Sequence, residues 1–483
     1  MGARTSWLLI ALIVVMTLFR LIGIDYSPPG FHIDEASNAT HIVCLSQTRA
    51  DANGTFLPLF SDQFEKSFQI EKKAGMIPPT HLYFGALWVS IFGHSIASIR
   101  AISAFLMIMT TAGAYLLVRH FCGRPAAMFC ALSASLSPWA FQVGRISLMV
   151  AFEPLCLVFW IYFTIRSKRI LDAFLAGIFL SLTLYSYPPA LVQVPILTVP
   201  LLWLKKRHHG LDRRFLIVCF SAAILTSLPL IHHIGTAEGQ LRVEYVSIFG
   251  KPFLDHSGGG HAPVVILKAF LSNFFAHFSP HYLFFRGDAN LIHSTQRVGQ
   301  LSWLDTFAFC AAIVLLMAAL FRRTAVCDGR NETAEDLRPL LLFSIIGVLS
   351  GIVPASLTWQ GIPHSLRSVG TLPFLFVLTG LTLYKLSEVW NPTPLVVVGI
   401  STLFAVYFLS YYFTVYPSLS KESWMGRTRD AAEQARNTGD WPRFSYLTLL
   451  HSEVATRYYL IEYGGEDCLS SKQRLKKLRR HRI

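Results

Sequence analysis

The residues of this chain best placed to do chemistry are an acidic pair, Asp34-Glu35, which follows the first long apolar run after a Pro28-Pro29-Gly30 spacer. A carboxylate at the edge of a membrane-length segment is costly unless it is solvated, paired or used. Asp34 suits two tasks. It can take a proton as a general base, typically worth about 10²- to 10⁴-fold in rate, or it can cap the helix that follows. A second acid, Glu153, lies inside an apolar run, where an ionisable group is functional by default. Cations stand at comparable places along the sequence: Arg20, Lys72, Lys73, Arg145 and Arg367, with His81 just behind Pro78-Pro79. Arginine forks match phosphate oxygens, and fixed cations stabilise negative charge developing on a leaving phosphate. Acids and cations together are the equipment for moving a group from a phosphate to a nucleophile. Each residue also has a plainer reading. Asp34 and Glu35 could be a solvated loop pair, Arg145 and Arg367 snorkelling anchors, Lys73 and His81 surface residues, and Arg20 the structural partner of an acid.

Hydropathy says what must hold these residues. The 483-residue chain is 53% hydrophobic and only 14% charged, against about 25% charged in soluble domains. Apolar runs of spanning length recur from residue 7 to residue 414, so this is an all-α polytopic membrane protein. The first run, Trp7 to Gly23, lacks a small-residue cleavage site and reads as an uncleaved anchor. The net charge of +14 sits mostly in short clusters between apolar runs, which is the positive-inside pattern rather than a nucleic-acid footprint. Placing Arg119–Arg124, Arg166–Arg169, Lys205–Arg214 and Arg322-Arg323 on the cytoplasmic side predicts eleven spans with the N-terminus inside. They run over 7–24, 97–118, 127–144, 149–165, 170–187, 190–204, 215–234, 301–321, 338–357, 369–385 and 394–414.

Two apolar stretches then stay on the outer face. Ile77 to Phe92 is only about 24 Å long as a helix at ~1.5 Å per residue. Ala262 to Phe285 carries Lys268, Asn273, His277, Pro280 and His281 and reads as an interfacial amphipathic element. The outside presents two long loops, 25–96 and 235–300, and long ordered loops usually carry function. The chain divides into a membrane domain, 1–414, and a small outer domain or basic tail, 415–483. Eight cysteines without CxxC spacing read as apolar packing residues, not as a zinc site or a disulfide framework. There is no 20–50-residue repeat.

With these residues in view, the chain resembles the GT-C superfamily of glycosyltransferases, and within it the family of protein O-mannosyltransferases and the aminoarabinose transferase of lipid A. The resemblance rests on order and spacing: Arg20, Pro28-Pro29 and Asp34-Glu35; Pro78-Pro79-Thr80-His81-Leu82-Tyr83; Phe92-Gly93-His94-Ser95 through Arg100; Ser137-Pro138 before Gly144-Arg145; Glu153-Pro154; and His364 to Arg367 before Leu372-Pro373. It covers residues 7–165 well and 360–380 loosely. The resemblance implies a GT-C fold with about eleven transmembrane helices and large outer loops. It also implies an inverting glycosyltransferase that uses a polyprenyl-phosphate-linked sugar at the outer face. Asp34 would be the catalytic base with Glu35 beside it, Arg145, Arg367, Lys73 and His81 would hold the donor phosphate, and Glu153 would orient the acceptor or a cation. The one cofactor the family suggests is a divalent cation, which Asp34 and Glu153 would hold.

The acceptor stays open among a lipid-linked glycan, a protein hydroxyl and a cell-wall polymer. Membrane lipids are the other expected partner, and a bacterial inner membrane the expected location. One departure stands out: family members often carry His or Lys directly before the Pro-Pro pair, where this chain has Ile77. The competing reading is a transporter or lipid-carrier flippase. Acids gathered at one face, without an internal repeat, favour the enzyme.

Overall fold

A computed structural model describes residues 2–62, 76–258, 262–321, 338–448 and 453–480. Backbone polar groups have no water to bond in lipid, so apolar spanning sequence must form helices. Among the described residues the only ladder is a short ribbon, Ser61–Asp62 against Met76–Ile77.

Helix α1 (Ala3–Leu18) is followed by α2 (Ile33–Thr48), α3 (Pro79–Phe92) and α4 (Ile96–Leu136). α4 is two helices folded back on each other at Gly123, whose φ of 73° is not helical. Arg20 touches both halves, at Thr111 and at the Ala134 carbonyl. Next come α5 (Pro138–Val143), α6 (Phe152–Arg166), α7 (Ile170–Ser186), α8 (Ala190–His209) and α9 (Arg213–Ile234). The second long loop holds α10 (Ala237–Val246), α11 (Lys251–His256) and α12 (Ala262–Ala276). The bundle closes with α13 (Trp303–Phe321), α14 (Arg338–Ser356), α15 (Leu372–Val389) and α16 (Thr393–Thr414). Five further helices follow: α17 (Tyr416–Ser420), α18 (Gly426–Thr438), α19 (Trp441–Thr448), α20 (Glu453–Glu462) and α21 (Cys468–Arg480).

Cross-links between helix ends define two faces. The Tyr185 hydroxyl at the end of α7 donates to Thr226 O and accepts from Leu230 N, both at 3.1 Å, so α7 and α9 end together. Asp305 in the first turn of α13 accepts from Ser133 near the end of α4 at 2.5 Å. The chain therefore leaves α9 and enters α13 on one face. The 24 residues of Ala262–Phe285 are themselves long and apolar enough to cross a membrane. Asn273 of α12 bonds Ser356 O (3.2 Å) and Thr358 O (2.7 Å) at the end of α14. α3 also begins and ends on this face, through Thr80 to Tyr185 O and Tyr458 to His94 O. On the opposite face, His120 at the α4 bend meets His209 of α8 at 2.9 Å, and Arg166 meets Asp172 at 3.7 Å. The Arg322-Arg323 cluster lies outside the described residues.

Three expectations need correction. α1 stops at Leu18 rather than at 24, because the carbonyls of residues 19–27 turn inward to bond Arg145. The span expected over 127–144 breaks at Ser137-Pro138, where Pro138 starts α5 as its first residue. The cysteines are not all packing residues: Cys44 and Cys468 form a disulfide across 424 residues of sequence. That bond, with a core shared by Phe31, Ala36, Ile42, Tyr458 and Tyr459, packs the C-terminal helices onto α2.

Candidate active site

The Pro-Pro-Gly spacer and the start of α2 set the acids. The His32 N–H donates to Glu35 Oε2 (3.3 Å) while His32 Nδ1 accepts the Asp34 N–H (3.3 Å), a reciprocal cap of the first turn. Glu35 is fully buried. Its Oε1 accepts from Arg100 Nε (3.0 Å) and Ser147 N (2.8 Å), and its Oε2 from Arg100 Nη2 (2.8 Å) as well as His32. Arg100 also holds the carbonyls of Ile24, Pro28 and Gly30 and lies between the rings of Phe31 and Trp424 at 5.5 Å each. Both Glu35 oxygens are thus engaged by protein. The Asp34 side chain is 37% exposed, with His32 Nδ1 3.6 Å from its carboxylate.

Arg145 differs from its expected place. Buried, it spends its donors on the carbonyls of Phe19, Arg20, Ile22, Gly23 and Ser27, with Tyr412 and Phe413 rings 5.3 and 5.0 Å away. It clamps the loop that leads to α2. His81 is buried with neither ring nitrogen hydrogen-bonded among the described residues. Burial pushes its pKa down to about 4, so at neutral pH it is not a cation for phosphate. Lys73 lies outside the described residues.

Arg367 does face a cavity. This space of about 300 Å³ is walled by apolar side chains such as Leu184, Pro188, Val192 and Leu357, and Arg367 shares it with Arg242 of α10. The two arginines come together through a backbone splice. Ile248 N bonds Leu357 O (2.9 Å), Trp359 N bonds Val246 O (3.2 Å), and Trp359 Nε1 bonds Tyr245 O (3.0 Å). Arg367 Nη1 then bonds Thr358 Oγ1 and Gln360 O, both at 2.8 Å. Arg367 is thus held by the loop it belongs to.

Tyr187, in the Tyr-Pro-Pro turn between α7 and α8, links the cavity to the acids. Burial raises its pKa, the charges of Arg242 and Arg367 pull it down, and those of Glu153 and Asp34 push it up. All four charged groups therefore act on one phenol. Glu153, in the first turn of α6, is buried with neither oxygen hydrogen-bonded among the described residues. It lies against Gly370, where an added Cβ would sit 2.7 Å from its Oε1 and 1.9 Å from Gln193 Oε1.

Sequence reasoning missed three residues. Arg100 closed a motif that carried the resemblance, but nothing in its spacing paired it with Glu35. Arg242 was one cation among several in a long loop, and Tyr187 one aromatic among many at the interface. The Pro188-Pro189 pair beside Tyr187 was the available signal of a rigid turn.

Residues 77–232, about a third of the chain, match the family model described as dolichyl-phosphate-mannose-protein mannosyltransferase. Among solved structures, the apo form of ArnT from Cupriavidus metallidurans is similar with a TM-score of 0.52 at 14% identity, over 97% of this chain and 74% of that one. The oligosaccharyltransferase AglB from Archaeoglobus fulgidus, in complex with an inhibitory peptide and a dolichol-phosphate, gives 0.50 at 13% identity over 92% of this chain. The chain spans 60% of the length of AglB. No curated protein matches. At these identities the structural likeness concerns the fold. The chain thus shares its fold with ArnT and AglB and, over residues 77–232, is similar to the dolichyl-phosphate-mannose-protein mannosyltransferase family.

Proposed function

We propose that the protein moves a sugar from a polyprenyl-phosphate carrier to an acceptor hydroxyl, with inversion at the anomeric carbon, on the membrane face that holds Asp34. The observation that carries this reading is the cavity, apolar in its walls and bearing Arg242 and Arg367. Apolar walls suit an isoprenoid chain, and two guanidinium forks suit its phosphate. The donor named in the matching family description and the dolichol-phosphate bound by AglB support a lipid phosphate of this kind.

Asp34 takes the proton of the acceptor hydroxyl. The freed oxygen attacks the anomeric carbon as its bond to the phosphate oxygen breaks. The electron pair leaves with the polyprenyl phosphate, whose charge Arg242 and Arg367 stabilise. Glu35, engaged by Arg100, positions the helix that aims Asp34. Glu153 is the acid left to meet a substrate hydroxyl or a cation near Tyr187. The basic clusters assign this face to the outside, and the Cys44–Cys468 disulfide on it supports an oxidising compartment, such as the periplasmic side of a bacterial inner membrane. Helices α17 to α21, packed on α2, would be the outer unit in this reading.

The test is turnover of a panel of polyprenyl-phosphate sugars by protein in lipid, with a membrane extract as acceptor. Asp34→Asn is expected to lose at least ~10²-fold in rate with folding intact, and Arg242→Ala to raise KM for the donor. Equal turnover by Asp34→Asn rejects Asp34 as the base. Carrier movement into vesicles without sugar transfer rejects the enzyme reading in favour of transport.

A further inference from the structure

Beyond the cavity, the described residues hold one group of three side chains with metal-ligating chemistry: Asp288, His293 and His364. Asp288 and His293 come from the segment between α12 and α13, His364 from the segment between α14 and α15 that also carries Arg367. One ligand atom from each residue lies within 4.8 Å of the other two. The imidazole rings are 4.7 Å apart, and His293 Nδ1 is 3.0 Å from Asp288 Oδ2.

The surroundings hold these groups in place. Asp288 Oδ2 accepts from Ser365 N (2.9 Å) and Ser365 Oγ (3.0 Å), and Oδ1 from Asn290 N (2.9 Å). Such outer bonds orient the carboxylate in metal sites. The His364 backbone N–H donates to His277 Nε2 (3.1 Å), whose Nδ1 donates to Asn273 O (2.8 Å). His277 is therefore occupied as a strut and is not a ligand. Asp288 is buried, the His293 side chain is only 12% exposed, and His364 is partly buried, so the three groups sit together largely out of solvent.

We propose that Asp288, His293 and His364 form a divalent cation site of zinc type. Two imidazoles, a carboxylate and an open position for water are a donor set zinc takes, with bonds of about 2.0–2.2 Å. Ligand atoms at such bonds stand roughly 3–4 Å apart. The Asp288–His293 contact already has that spacing, and His364 needs a closing movement of about an ångström. His293 binds through Nδ1, with its ring proton on Nε2. The ion joins the loop after α12 to the loop of Arg367, and so sets where that arginine stands in the cavity. The site is read by binding alone and does not depend on the carrier-phosphate reading.

The full-length protein, in detergent and stripped with EDTA, is titrated with zinc by equilibrium dialysis and by thermal unfolding. Expected are about one zinc per chain, a higher unfolding midpoint, and at least ~10-fold weaker binding in His293→Gln and in His364→Gln. His209→Gln, which alters the histidine pair on the opposite face, is expected to bind as wild type does. Should either site variant fail to fold, the zinc X-ray absorption spectrum of the wild type decides: two imidazoles with oxygen support the site, and sulfur overturns it. Absence of retained zinc in the wild type, unchanged binding in both site variants, or loss of binding in His209→Gln also overturns it.

Discussion

Asp34 and Glu35 leave the same turn of α2 in different directions, and a fully buried arginine meets only one of them. Taking away one partner of a buried ion pair costs about 3–5 kcal/mol, because the other charge is left uncompensated. Glu35→Gln is therefore expected to lower the unfolding midpoint sharply, while Asp34→Asn, at a partly exposed group, leaves it near wild type. Comparable midpoints for the two variants would refute the division of labour. Histidines make the second prediction at this scale. His41 and His81 are buried on the Asp34 face, and burial pushes each down to about 4 (for His41, Arg457 and Lys472 add to the effect and Asp51 opposes it). The unfolded chain takes up those protons near the ordinary value of about 6.5. Between about 6.5 and 4 the unfolded state binds more protons, so stability falls as pH drops through that window and levels off below it. Melting curves from pH 7 to pH 4 check this. His81→Leu, which removes a ring without hydrogen-bonding partners among the described residues, is expected to flatten the curve.

The C-terminal helices hold the segment from Gly30 through α2 at both of its ends. At Gly30 an added Cβ would stand 1.9 Å from the Trp424 carbonyl, so the spacer accepts no side chain while the C-terminal unit is docked. Gly30→Ala is expected to displace that unit and loosen the Arg100 contact to the Gly30 carbonyl, read as faster proteolysis after residue 415. At the far end, the Cys44–Cys468 bond closes a loop nearly as long as the chain, and such closure stabilises by restricting the unfolded state. Cys468→Ser is expected to lower the unfolding midpoint, and reductant to do the same to wild type but not to the variant. A reductant effect on the variant would locate the sensitivity elsewhere.

Threaded in eleven passes by its basic clusters, the chain is expected to have its two ends on opposite sides of the membrane, with the C-terminal helices on the face of Asp34. Impermeant labelling of a single engineered cysteine at Ser470 is expected from the same side as one at Asn53, and not from the side of Arg4. Reaction of the first two from different sides would break the threading. Much of this architecture is legible in composition, because lipid admits few structures and charge asymmetry orients them. The acids at the start of α2 are legible too, since an ionisable pair beside an apolar run has few silent explanations. Local order set most of the helices and singled out the candidate base. Tertiary contact alone decided that Glu35 belongs to Arg100, that Arg145 clamps a loop, that Arg242 joins Arg367, and that two cysteines 424 residues apart are bonded. A side chain's type fixes what it can bond, but its partner is whichever group the folded chain brings within about 3 Å, and that distance is written in no local pattern.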